Sequence, residues 1–217
     1  MSGITNQRYR EFMDTFEIET WSQGFKAVAG IDEAGRGSLA GPVIAAAVVF
    51  DPWTEPIPGV DDSKKLSPKT REFLHGEIFK KAAAVGVGCV YQQEIDRINI
   101  LQATLKAMKE AVDDLGLIPD FLLIDGNKAP KINYPLRTIT KGDSRSFSIA
   151  AASIIAKVTR DRIMEKLDPR YPEYCFKSNK GYASSIHINA IRENGLTREH
   201  RKTFCQKIMA EQLRIFI

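Results

Sequence analysis

Three apolar, strand-like segments of this chain each stop at a carboxylate beside a glycine, and that recurrence constrains the fold more than any other feature. Lys26 to Asp32 reads KAVAGID, with Glu33 next and Gly35 and Gly37 breaking the run. Phe121 to Ile124 ends in Asp125-Gly126, and Leu136 to Thr140 ends in Lys141-Gly142-Asp143. One such ending is an ordinary turn. Three in one sheet bring their carboxylates to a common edge if the strands are neighbours, and their mutual repulsion then calls for a cation. An all-oxygen donor set without His or Cys suits Mg²⁺ or Mn²⁺ rather than zinc. Two such ions about 3.5–4 Å apart clamp the attacking and leaving oxygens of a phosphoryl displacement. Consecutive strand residues face opposite sides of a sheet. Asp32 and Glu33 are therefore expected to share a cluster only if the strand ends or bulges at Glu33, which the glycines at 35 and 37 permit.

The remaining pattern supplies the frame. Tyr9, Phe12, Met13 and Phe16 follow the i, i+3, i+4, i+7 spacing of an amphipathic helix, closed by Gly24. Val43 to Phe50 is a fully apolar second strand, and Val85 to Tyr91 a third. Ser67-Pro68 opens a helix expected to turn Phe73, Leu74 and Ile78 inward. Ile95 to Leu115 reads as one long helix ended by Gly116. Ser146 to Leu167 is a helix whose small-residue stretch, IAAASIIA, suits close packing on a sheet. Two further helices are expected at Ala183–Glu193 and Thr197–Leu213. The first three strands can form an antiparallel meander and the later ones add around a helix. The expectation is an α/β fold, a mixed central sheet flanked by helices with a C-terminal helical extension.

Composition narrows the function classes. With 217 residues, 43% hydrophobic and 27% charged, the chain is expected to form one large domain or a domain with an appendage, neither disordered nor collagenous. Its longest apolar run, Pro42 to Phe50, is far short of the roughly 20 residues a spanning helix needs, and the N-terminus lacks the apolar core of a signal peptide. Cys89, Cys175 and Cys205 are scattered, which points to a reducing, cytoplasmic location and against a disulfide framework. The net charge of +4 conceals an asymmetry. Residues 1–125 hold 13 basic and 19 acidic residues, and residues 126–217 hold 18 and 8. A basic C-terminal part suits a polyanionic partner. Gly35-Arg36-Gly37-Ser38-Leu39-Ala40 superficially matches a dinucleotide fingerprint, but that motif must open a helix. Here Gly41-Pro42 and a β-type run follow at once, so a loop whose N–H groups approach a nucleic-acid strand, with Arg36 near a phosphate, is the better reading.

These residues resemble the type 2 ribonuclease H family, and within it ribonuclease HII. The blocks are GIDEAGRGSLAGPV (30–43), DDSKKLS (61–67), LLIDGN (122–127), KGDSRSFSIAAASIIAKVTRD (141–161), NKGYASSIH (179–187) and GLTREHRKTF (195–204), in family order from about residue 26 onward. Some 25 residues precede this core, and the matching fourth acid is Asp143 where ribonuclease HIII has glutamate; both features favour ribonuclease HII over ribonuclease HIII. The resemblance implies a ribonuclease H-like fold, with residues 1–25 a helical packing appendage and 26–217 the catalytic domain including the C-terminal helices. It implies endonucleolytic cleavage of RNA in RNA–DNA hybrids and at single ribonucleotides embedded in duplex DNA, leaving 3′-hydroxyl and 5′-phosphate ends without a covalent enzyme intermediate.

Residue by residue, the resemblance makes Asp32, Glu33, Asp125 and Asp143 the catalytic, metal-holding acids, carrying two divalent ions, Mn²⁺ or Mg²⁺, with substrate bound. Gly35-Arg36-Gly37 matches the loop that reads the 2′-hydroxyl through its backbone, where a Cβ would hold the sugar away. Tyr182 matches the tyrosine that stacks on the sugar at the RNA–DNA junction, and Lys64, Ser144 and Lys180 are expected on phosphates. A monomer without membrane contact is expected. The chain departs from the pattern at Ala183-Ser184, where Gly-Thr or Pro-Thr is usual. His187 is read as structural, His200 as facing the preceding helix, and Trp21 and Trp53 as packing residues.

Overall fold

A computed structural model describes residues 15–215. Tyr9, Phe12 and Met13 of the expected N-terminal helix lie outside the described residues. The described part is α1 (Thr15–Ser22), with Gly24 just beyond it at φ 100°. Five strands follow: β1 (Val28–Ala34), β2 (Val43–Val49), β3 (Ala84–Val90), β4 (Phe121–Asp125) and β5 (Leu136–Ile139). Between and after them run α2 (Pro68–Lys81), α3 (Gln92–Asp113), α4 (Phe147–Leu167), the short α5 (Phe176–Asn179), α6 (Ser185–Asn194) and α7 (Lys202–Ile215).

The sheet order is β3-β2-β1-β4-β5. β1 to β3 pair antiparallel, while β1–β4 and β4–β5 pair parallel, as the meander-plus-crossover reading requires. β2 is apolar throughout because both of its faces are covered. Ile44, Ala46 and Val48 pack with Leu74 and Ile78 of α2 and Phe147 and Ala151 of α4. Val43, Ala45, Ala47 and Val49 pack with Ala103, Ala107 and Met108 of α3. Together the two layers form a core of a size that needs no disulfide.

Local differences from the sequence reading have physical causes. On α2, Leu74 and Ile78 are buried but Phe73 is 64% exposed; it lies one residue, about 100° round the helix, from the buried stripe. The α3 segment is not one regular helix. Asn99 sits at φ 67°, ψ 164° inside it, and its Oδ1 accepts from Gln102 N at 3.1 Å, so Asn99 caps a second helical stretch. The last helix begins at Lys202 rather than Thr197, because residues 197–200 turn around the His200 ring and Ala40 bridges His200. Trp21 is buried against Trp53 with ring centroids 5.8 Å apart, whereas Trp53 itself is largely exposed.

Candidate active site

Asp32, Glu33 and Asp125 come from ends of neighbouring strands, so strand pairing brings these three together. The β1–β4 ladder runs from Val28↔Phe121 to Ile31↔Ile124, which leaves Asp32 and Asp125 one step beyond it. Asp32 lies on the same face as Gly30, the α4 side, and Glu33 on the α3 side with Ile31. The strand neither ends nor bulges at Glu33. It pairs regularly with β2 through Asp32↔Ala46, Glu33↔Ala45 and Ala34↔Ile44, which corrects the expected break. The carboxylates still meet, because the ladder to β4 has stopped and side chains from both faces reach round the end of that strand. Ligand oxygens of Asp32, Glu33 and Asp125 all lie within 4.8 Å of one another.

Asp143 arrives from the other side of Asp125. It sits in a single 3₁₀ turn, Gly142–Ser144, just before α4. Gly142 N donates to Asp125 Oδ1 at 2.6 Å, tying that turn to the end of β4. Asp143 lies outside the tight three-residue group but shares its field, and Lys64 Nζ stands 4.0 Å from its Oδ2. Burial, then Glu33 and Asp125, push the Asp32 carboxyl well above the usual carboxylate range. Burial also raises Glu33, against the opposing pull of Arg36, whose Nη1 is 3.2 Å from Glu33 Oε1. Asp143 is raised by burial, Asp62 and Asp125 in turn. Burial alone would lower the Lys64 ammonium, but Asp143, Asp62, Asp32 and Asp125 together raise it. Buried, mutually repelling carboxylates with only all-oxygen donors fit hard divalent cations.

A second unit borders the acids. Arg160 of α4 is fully buried. Its Nε donates to Pro42 O at 2.9 Å, Nη1 to Lys180 O at 2.8 Å, and Nη2 to Ser38 Oγ at 2.7 Å and Ala40 O at 3.0 Å. Leu39 N and Ala40 N donate to Gly181 O. The guanidinium also lies 5.1 Å from the Tyr182 ring centroid. Buried Arg201 adds bonds to Gly41 O and Arg36 O. The Gly35–Pro42 loop and the Tyr182 segment are thus one clamped piece. No helix follows the glycines; β2 begins at Val43, in keeping with rejection of the dinucleotide motif.

Within this piece the two glycines differ. At Gly35 (φ 93°) an added Cβ would stand 2.0 Å from Arg160 Nε, inside the protein. At Gly37 it would meet nothing within 4 Å, and Gly37 is exposed. Open space at this loop is therefore a property of Gly37, while Gly35 serves the Arg160 contact. Tyr182 is 36% exposed, and beside it opens a cleft of about 450 Å³ where Lys157, Arg162 and Lys180 face their partners Asp161, Glu72 and Glu165. The Lys180 ammonium already pairs with Glu165 Oε1 at 2.6 Å, and Ser144 Oγ donates to Lys141 O.

Tyr182 is held from behind by two histidines. Tyr182 O can only accept, so His187 Nδ1, 2.9 Å away, carries a proton. His187 Nε2 then accepts from His200 Nε2 at 3.0 Å, and His200 Nδ1 accepts from Thr197 N. His200 does face the preceding helix. Ser184 caps α6 by accepting from His187 N, a role a threonine there would share. Sequence reasoning missed Asp62, Arg160 and Arg201. Each lay inside a quoted block, and an arginine embedded in the small, apolar face of a helix was the available signal for Arg160.

An acidic, oxygen-only cluster at the strand ends of a mixed sheet, beside a clamped basic and glycine-rich loop, defines a metal-dependent nuclease. The family model for ribonuclease HII matches residues 29–208. The ribonuclease HII of Geobacter metallireducens is 58% identical over 190 residues, 88% of this chain and 89% of the relative. Among solved structures, ribonuclease H2 from Pyrococcus horikoshii OT3 matches with a TM-score of 0.71 at 29% identity, over 86% of this chain and 99% of that one. Bst-RNase HIII in complex with Mn²⁺ shares the fold, with a TM-score of 0.66 at 21% identity over 87% and 71% of the two chains. This chain belongs to the ribonuclease HII family. It is a ribonuclease H that cleaves RNA in RNA–DNA hybrids and depends on divalent metal. Among the described residues, no helix is long and apolar enough to cross a membrane.

Proposed function

We propose that this protein hydrolyses the phosphodiester on the 5′ side of a ribonucleotide, both in RNA–DNA hybrids and at single ribonucleotides embedded in duplex DNA, leaving 3′-hydroxyl and 5′-phosphate ends. It acts as a cytoplasmic monomer with two divalent ions, Mn²⁺ or Mg²⁺. The observation that carries this reading is the Arg160 clamp, which makes the Gly35–Pro42 loop and Tyr182 a single recognition surface. The Arg36–Glu33 ion pair joins that surface to the acids. A single ribonucleotide differs from DNA only at its 2′-hydroxyl, so a reader must combine a backbone donor or acceptor with a sugar-stacking ring at fixed separation.

Asp32, Glu33, Asp125 and Asp143 hold the ions. When bound, these supply Lewis acidity, activating water and stabilising the leaving oxygen. Backbone groups of Gly35-Arg36-Gly37 contact the 2′-hydroxyl, and open space at Gly37 lets the sugar approach. Tyr182 stacks on the sugar at the junction, its ring backed by Arg160 and its backbone by His187. Lys64, Ser144 and Lys180 meet phosphates, with Lys180 exchanging its Glu165 partner for one. The test is a labelled DNA duplex with one ribonucleotide, with Mg²⁺ or Mn²⁺. A single cut 5′ to the ribonucleotide and an intact all-DNA control are expected. No cut under either metal would refute the proposal; cutting of hybrids alone would remove its single-ribonucleotide part.

A further inference from the structure

One buried acid has no part in the function described so far. Glu17 of α1 is 2% exposed, and its Oε1 accepts three hydrogen bonds from the start of α4. The donors are Ser146 Oγ at 2.5 Å, Ser148 N at 2.9 Å and Ser148 Oγ at 2.5 Å. A carboxylate at a helix N-terminus is favoured by the free N–H groups there. Burial raises Glu17, and the three donors oppose that rise.

What lies on each side makes this contact more than a cap. Immediately before Ser146 is the turn that holds Asp143. Ser146 N donates to Gly142 O at 2.8 Å, while Gly142 N donates to Asp125. Behind Ser148 is β1. A Cβ on Gly30 would stand 2.4 Å from Ser148 Oγ and 2.2 Å from its carbonyl carbon, and Gly30 shares its face with Asp32, two residues on. The serines held by Glu17 therefore touch the strand of Asp32 and are bonded to the residue before Asp143. Neighbours of Glu17 reinforce the grip. Phe16 lies under the guanidinium groups of Arg137 and Arg145, at 4.7 and 5.1 Å, and Arg137 pairs with Glu19 at 2.9 Å.

We propose that Glu17 is a positioning residue for the active site: through Ser146 and Ser148 it sets the Asp143 turn at a fixed separation from Asp32 and Asp125. The helix at the N-terminus is then a brace of the metal site, not only a packing appendage. The proposal rests on the reading of Asp143 as a metal-holding acid.

The test uses the full chain and four variants: Glu17→Ala, Ser148→Ala, Asp143→Asn, and Val112→Ala as a core control on α3 that leaves α1 and the serines untouched. Amide hydrogen exchange is read in metal-free protein. The Mn²⁺ dependence of cleavage and duplex affinity without metal are read alongside. For Glu17→Ala we expect at least tenfold faster exchange over residues 142–149 than in the parent. Half-saturating Mn²⁺ should rise several-fold and kcat fall about tenfold, with duplex affinity unchanged. Ser148→Ala, which leaves the Ser146 cap of α4 in place, should show the same changes at smaller size, and it decides the matter if Glu17→Ala does not fold. Val112→Ala should match the parent in all three. Parental exchange and Mn²⁺ dependence in folded Glu17→Ala, or the same changes in Val112→Ala, would overturn the proposal. Full activity of Asp143→Asn would instead overturn the reading of Asp143 on which it stands.

Discussion

Adding one methyl group at Gly35 or at Gly37 should separate stability from activity within a single loop. In Gly35→Ala the new Cβ must adopt φ 93° and would lie 2.0 Å from Arg160 Nε and 2.5 Å from its Cδ. A non-glycine residue in a sparsely populated backbone region costs about 1–3 kcal/mol. The clash adds about 1–3 kcal/mol of overpacking, since Arg160 is pinned by four hydrogen bonds and cannot step aside without breaking them. The expected loss is about 2–6 kcal/mol. At ~2–4 °C per kcal/mol for a chain of this size, the melting temperature should fall by about 4–24 °C. In Gly37→Ala the Cβ meets nothing in the protein, so stability should stay within ~0.5 kcal/mol of the parent. Its Cβ would instead meet the sugar, and a misplacement of about 1 Å costs on the order of 100-fold in rate. Urea unfolding and cleavage of a duplex with one ribonucleotide measure the two quantities. A Gly35→Ala protein within ~1 kcal/mol of the parent, below the ~2 kcal/mol that strain and clash together require, would refute the pinned-arginine argument. A fully active Gly37→Ala protein would refute the placement of the sugar.

Two further outcomes are expected. Asp125→Asn removes one charged ligand while keeping the acceptor for Gly142 N, so turnover should vanish while the melting temperature holds; retained activity would show that Asp125 is not a ligand. His200, held neutral by burial and by His187, has its pKa lowered to about 4. A folded value below the unfolded ~6.5 means the unfolded chain binds the proton first. The stability from a neutral His200 is therefore complete above about pH 6.5 and is lost as pH falls toward 4. At pH 5 that loss is about 2 kcal/mol. Urea unfolding at pH 7 and 5 should show that much steeper acid loss in the parent than in His200→Gln, and equal losses would exclude the assigned protonation.

How much was legible in the sequence varies by element. β2 could be read because a strand covered on both faces must be apolar throughout. The helix start at Ser67-Pro68 could be read because capping is local. The exposure of Phe73 could not, since a stripe boundary one residue wide depends on what packs there. The delayed start of α7 depends on contacts made across the fold, Glu199 with Gln92 and His200 with His187 among them, whereas the kink at Asn99 rests on a local cap that the apolar periodicity does not reveal.

The sequence by itself determined the acids, their strand-end placement and the family, because these rest on local pattern and ordered motif blocks. Tertiary structure decided how the acids meet. The ladder between β1 and β4 ends at Ile31↔Ile124, so opposite-face side chains converge without the bulge that the alternation rule had required. It also decided that Gly35 serves Arg160 while Gly37 faces open space, and that Glu17 reaches Ser146 and Ser148 across some 130 residues of chain. Contacts of that separation leave no periodicity in a sequence, because they depend on which surfaces the folded sheet and helices bring face to face.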